Sequence, residues 1–164
     1  MERSKKVIFL SHCILNQNTV VPPLARAKGP YRDIVKVIID NGIGIHQLPC
    51  PEYRYLGLKR KPMTKEEYDT EGYRKLCKDI ATDTVSIMKE YLQNGYNIVG
   101  LIGINESPTC SIIGTKGILM EELLALLKEE NIQLNTLDVP ADYHDGEKGK
   151  EFINRFIGLI SIYN

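Results

Sequence analysis

The chain is predicted to be an α/β protein: one three-layer α/β/α domain over residues 1–164 with a mainly parallel sheet of about four strands. Short apolar runs alternate with helix-period patterns along its length, the signature of strand–helix–strand units joined by crossovers. The connections that follow strands are longer and richer in Pro, Asn and Ser than joining requires. A chain of 164 residues also buries a sizeable core without disulfide staples.

The first strand is Val7-Ile8-Phe9-Leu10. Tyr31-Arg32-Asp33-Ile34-Val35-Lys36-Val37-Ile38-Ile39-Asp40 reads as a helix closed by Asn41-Gly42, with glycine where a left-handed cap is needed. Gly44-Ile45-His46-Gln47-Leu48 forms the second strand. Thr64-Lys65-Glu66-Glu67 has capping-box form, so one long helix is expected from there to Gln93, ended by Asn94-Gly95. The third strand begins near Asn97 and runs through Ile104; a helix carrying Leu119, Met120, Leu123, Leu124 and Leu127 follows. A fourth strand is placed at residues 133–137, and a last helix bears Phe152, Ile153, Phe156, Ile157 and Ile160. Together these elements describe a Rossmann-like order, in which loops at the strand carboxyl ends converge on one crevice.

Lys plus Arg and Asp plus Glu number 21 each. No block of like charge is present to hold a phosphate backbone, which argues against polymeric nucleic acid as a partner. Met1-Glu2-Arg3-Ser4-Lys5-Lys6 leads into a strand too short for a signal-peptide core or a membrane span. A cytoplasmic protein with no membrane association is therefore expected; oligomeric state is not legible.

Four cysteines divide into one and three. Cys77 falls in the stripe Tyr73, Leu76, Cys77, Ile80, Ile87, Met88, Tyr91 and reads as a core thiol. Cys13, Cys50 and Cys110 each lie just past a strand, in loops spanning 11–30, 49–63 and 105–116. Three thiolates without an equivalent fourth ligand suit zinc with an open position, or a cubane iron–sulfur cluster with one iron left for substrate. No C-x-x-C pair marks a structural zinc site, and ligands from three separate loops favour a catalytic centre.

The words Ser11-His12-Cys13-Ile14-Leu15, Cys50-Pro51-Glu52 and Ser107-Pro108-Thr109-Cys110 occur in an order and register that resembles the thiouracil desulfurase (desulfidase) family, over a stretch reaching to about Pro140. The resemblance implies a [4Fe-4S] cluster held by Cys13, Cys50 and Cys110, zinc being the alternative metal. It also implies a small thiolated substrate such as 2-thiouracil, converted from C=S to C=O without redox chemistry. By the same resemblance Glu52 is the general acid or base and Ser107 orients substrate or water. Asn16, Arg54, Thr109 and Ser111 complete the candidate substrate contacts. Three positions depart from the family words: Asn16 replaces a usual glycine, Thr109 a serine and Ser111 a glycine, which places the chain in a divergent branch.

Other residues admit plainer readings. Glu52 is also within reach of an ion pair with Arg54, Lys59 or Arg60. His12 should point away from Cys13 if strand alternation continues, His46 reads as an interior histidine, and His144 belongs to the acidic loop Asp142-Tyr143-His144-Asp145. Asn16, Gln17 and Asn18 suit either a heterocycle edge or a turn cap. Gly100 and Gly103 lie within a strand and form no phosphate-binding fingerprint. Two other functions fit the same cysteines: a non-catalytic metal or iron–sulfur sensor or carrier, and a thiol redox protein using Cys13 and Cys50.

Overall fold

In a computed structural model, which describes residues 1–163, four strands form one parallel sheet in the order β2-β1-β3-β4. They are β1 (Lys6–Leu10), β2 (Gly44–Gln47), β3 (Asn97–Ile104) and β4 (Thr136–Val139). The helices are α1 (His12–Leu15), α2 (Arg32–Asp40), α3 (Pro51–Leu56), α4 (Lys65–Tyr68), α5 (Glu71–Gln93), α6 (Ile118–Glu129) and α7 (Lys150–Ser161). The expected α/β architecture is thus present.

Alternation along β1 divides the core into two layers. Val7 and Phe9 face one cluster, with Tyr73, Cys77, Met88, Leu119 and Leu123 from α5 and α6. Ile8 and Leu10 face the other, with Ile34, Ile38, Phe152 and Phe156 from α2 and α7. β3 keeps both layers supplied despite a register shift: Val7 pairs with Ile98 but Ile8 with Gly100, so Val99 is the extra residue of a bulge. Cys77 is fully buried, as its stripe requires.

Besides α1 and α3, short helices within stretches read as loops, two elements differ from their sequence reading. The long helix is broken. Thr64 does make its capping box, accepting from the N–H of Glu67 while the Glu67 side chain accepts from Thr64 N–H, but α4 stops at Tyr68. Asp69 (φ −72°, ψ 67°) leaves helical geometry, and Thr70 caps a new helix by accepting from Tyr73 N–H at 3.3 Å. The fourth strand lies three residues later at its start than the apolar pattern indicates, at Thr136–Val139. It contains a buried carboxylate, Asp138, which apolar periodicity passes over.

Candidate functional site

The carboxyl end of β1 runs straight into a helical turn. Ser11 donates its N–H to Ile102 O at 3.0 Å and accepts from Ile14 N–H at 3.1 Å. This turn, not a continued strand, sets the direction of His12 and Cys13, and both line the same cavity. Gln17 secures the turn, donating its side-chain amide to Cys13 O at 2.9 Å and accepting from Arg26 N–H at 3.0 Å.

Cys50 occupies the N-cap of α3, with Pro51 in the first turn where no amide donor is needed. Its sulfur accepts from Tyr53 N–H at 3.4 Å. Glu52 follows one residue into the helix and turns inward. One oxygen, Oε1, accepts from the Tyr68 hydroxyl at 2.9 Å and faces Arg60 Nε at 3.5 Å. Arg60 is the partner among the three basic residues considered for Glu52, and its side chain is only 4% exposed. Its guanidinium is anchored to Thr19 O at 2.7 Å and Gly57 O at 3.2 Å.

Cys110 sits in a tight loop after β3. Its carbonyl accepts from Ile104 N–H at 3.1 Å. Ser107 Oγ accepts from the N–H of Cys110 at 2.9 Å and of Thr109 at 3.2 Å. With both acceptor positions used, the hydroxyl proton of Ser107 is left to donate. Asp138 holds the far side of this loop, accepting from Ile112 N–H at 3.0 Å and Ile113 N–H at 2.8 Å. Burial raises its pKa, against the lowering by those two amides.

Cys13, Cys50, Glu52, Ser107 and Cys110 therefore line one cavity of about 320 Å³, together with His12, Gln17, Arg26, Tyr31, Arg60 and Asn105. That volume lies at the small end of the range for small-molecule sites. Burial pushes the Cys13 thiol up to about 12, with Cys50 and then Glu52 adding to the effect. Burial likewise raises Cys50, and raises Cys110 well above an ordinary thiol, the latter with Cys13 and Cys50 contributing. The three thiols share one cavity wall.

The remaining predicted contacts stand outside the cavity lining. Asn16 caps a turn, its Oδ1 accepting from Asn18 N–H at 3.2 Å. Arg54 is exposed on α3. Thr109 is fully buried, its hydroxyl 2.6 Å from that of Tyr73. Ser111, also buried, donates to Ile113 O at 3.1 Å. His144 is tied to Asp142 O at 2.9 Å and is not part of the lining, while His46 is half-buried against Phe9 with ring centroids 4.7 Å apart. Sequence reasoning named Arg60 only as one of three possible ion-pair partners of Glu52, and passed over Tyr68 and Asp138. Only contacts between distant segments give them meaning.

The three buried side-chain atoms without hydrogen-bond partners among the described residues are Ser11 Oγ, His12 Nε2 and Arg60 Nε. His12 and Arg60 line the cavity, and Ser11 directly precedes His12 as the N-cap of α1. The other buried side-chain polar atoms of the described residues are satisfied, as in folded proteins generally.

Fold and site define a parallel α/β protein with a cavity lined by three cysteines at the carboxyl edge of its sheet. The chain belongs to the putative 2-thiouracil desulfurase family, whose model matches residues 6–135. It is also 41% identical over 155 residues to an uncharacterised protein of Methanocaldococcus jannaschii, covering 94% of this chain and 99% of that one. No solved structure gives a significant match. No helix among the described residues is long and apolar enough to cross a membrane.

Proposed function

We propose that this protein removes sulfur from a small thiocarbonyl compound of the thiouracil type, using a [4Fe-4S] cluster held by Cys13, Cys50 and Cys110. The observation that carries this reading is the meeting of three cysteines from three loops with Glu52 and Ser107 around one cavity. The overall change is C=S plus water to C=O plus hydrogen sulfide, with no electron transfer.

The donor set fits the group. Three soft sulfurs and no nitrogen-rich set suit iron–sulfur binding. Among the described residues no three His, Cys, Asp or Glu side chains are gathered so as to hold a single metal ion. A cubane takes its protein ligands on separate irons, so one cysteine from each of three loops can hold it. Because the free thiols are raised in pKa, metal binding would release their protons, and the metal's charge would compensate the thiolates.

When bound, the cluster supplies a soft Lewis-acid iron that engages sulfur in preference to oxygen. The protein's own groups do the rest. Glu52 takes a proton from the attacking water and returns it to the departing sulfur, which suits a carboxylate at the cavity wall. Ser107 donates its free hydroxyl proton to the substrate ring or to the water. The apolar wall, including Val20, Val21 and Ile104, limits competing water.

Iron and acid-labile sulfide after anaerobic reconstitution test the reading, with sulfide release from 2-thiouracil as the activity. About four of each per chain are expected. Cys13→Ala, Cys50→Ala and Cys110→Ala should each lose them, and Cys77→Ala should not. Glu52→Gln should keep the cluster and slow turnover by about 10²–10⁴-fold. Zinc in place of iron, or equal dependence on Cys77, overturns the assignment.

A further inference from the structure

The break between α4 and α5 has a geometric effect at the site. In one continuous helix Tyr68 and Tyr73, five residues apart, would point roughly 140° away from each other. Here both are buried, at 2% and 0% exposure, and their rings lie 4.8 Å apart at 31°. The change of direction falls on Asp69 and Thr70. Thr70 caps α5, while Asp69 accepts two hydrogen bonds from Arg74, both at 2.8 Å.

The two tyrosines then reach different loops. Tyr73 meets the Thr109 hydroxyl beside Cys110 at 2.6 Å, and Tyr68 donates to Glu52 Oε1 at 2.9 Å. Arg60 faces that same oxygen at 3.5 Å. Among the described residues no hydrogen bond reaches Glu52 Oε2, and that oxygen is not among the buried unpartnered atoms, so it is accessible at the cavity wall.

We propose that the helix break is a positioning device: it turns Tyr68 inward so that Tyr68 and Arg60 hold Glu52 Oε1 and leave Oε2 as the oxygen that exchanges protons with substrate. Tyr68 and Arg60 are positioning residues, acting through Glu52. This inference rests on the role given to Glu52 above. A carboxylate gripped through one oxygen keeps a fixed lone-pair direction on the other, and small misplacements of a catalytic group cost large factors in rate. Arg60 serves from a fixed base, because two backbone carbonyls hold its far nitrogens.

The test is Tyr68→Phe, which keeps the ring and its stacking and deletes only the hydroxyl. In the reconstituted enzyme with 2-thiouracil, kcat should fall about tenfold or more, with KM and iron content close to wild type and the thermal midpoint lowered only by the loss of one hydrogen bond. Arg60→Met should also lower kcat. A structural role alone would lower the midpoint and leave kcat per loaded cluster unchanged, which overturns the inference. A second readout needs no substrate. In a Tyr68→Phe, Glu52→Ala cycle, the double variant's loss in denaturant midpoint should be smaller than the sum of the single losses, because both delete one bond; simple additivity overturns the clamp. The two failures are separable. Full activity in Glu52→Gln removes the role of Glu52 itself, whereas an inactive Glu52→Gln beside a fully active Tyr68→Phe removes the clamp alone.

Discussion

Cys110 lies against the sheet because two positions beside it lack a side chain. A Cβ at Gly117 would stand 2.1 Å from Thr109 C and 2.5 Å from Cys110 N, and one at Gly103 would stand 2.3 Å from Cys110 O. These are backbone atoms of a hydrogen-bonded loop and have nowhere to move. Gly117→Ala should therefore destabilise the protein by about 3 kcal/mol in urea unfolding and reduce iron retention, whereas Gly29→Ala, with nothing within 4 Å of the added carbon, should do neither. The three cysteines, Glu52 and Ser107 were legible as residues, because short words around them carry the family likeness. The role of Gly103 was not, since a glycine inside a strand announces close approach without saying to what. His12 was misdirected for a local reason: strand alternation was carried past Ser11, where the backbone has already turned into α1. Asp138 was invisible because its three hydrogen bonds come from residues 25 and 26 positions away.

Among the elements, starts were easier to read than ends. The Thr64 capping box is a local pattern and appears as expected, but the stop at Tyr68 depends on Asp69 pairing with Arg74, and Arg74 also meets Glu121 at 3.0 Å and Glu122 at 3.1 Å on α6. This cluster fastens the break to the neighbouring helix. Its acid behaviour follows from the directions of the shifts. Arg74 lowers the Asp69 carboxyl; at Glu121 burial pushes upward, and Lys65 and Arg74 outweigh it. Folded pKa values below the unfolded ones mean the stabilisation is present above the unfolded carboxylate range of about 4 and is lost as pH falls through the lower folded values. Thermal melts between pH 7 and pH 3 should show that loss, and Arg74→Met should flatten it at the acid end while lowering stability at neutral pH. A curve of unchanged shape in Arg74→Met would mean that the charges at the break do not hold it. The displaced fourth strand has a similar origin. Apolar periodicity favours residues near 133, whereas pairing with Leu101 and Ile102 on β3 selects Thr136 and Leu137.

For the whole molecule, alternating strand and helix patterns were enough to place the functional loops on one edge of a parallel sheet, because crossover connections bring every strand's carboxyl end to the same side. Strand order and the pairing of distant loops were beyond that pattern. The loops carrying Cys13, Cys50 and Cys110 follow β1, β2 and β3, three adjacent strands of the sheet. Arg60 to Thr19 O joins the loops after β2 and β1, and Tyr73 against Thr109 fastens the loop after β3 to α5. A cluster bound by one sulfur from each loop would cross-link them, and any group that binds the folded chain and not the unfolded one raises stability by mass action. Occupancy far above the dissociation constant, contributing about 4 kcal/mol, corresponds to a rise in thermal midpoint of about 10 °C for a chain of this size. Anaerobic melts before and after reconstitution should show that rise in the wild type and in Cys77→Ala, whose own midpoint starts lower because a core cavity is left. Cys13→Ala, Cys50→Ala and Cys110→Ala should show little or none of it, since each leaves one loop outside the cross-link. Equal gains in all four variants would place the metal elsewhere and separate the three cysteines from each other's function.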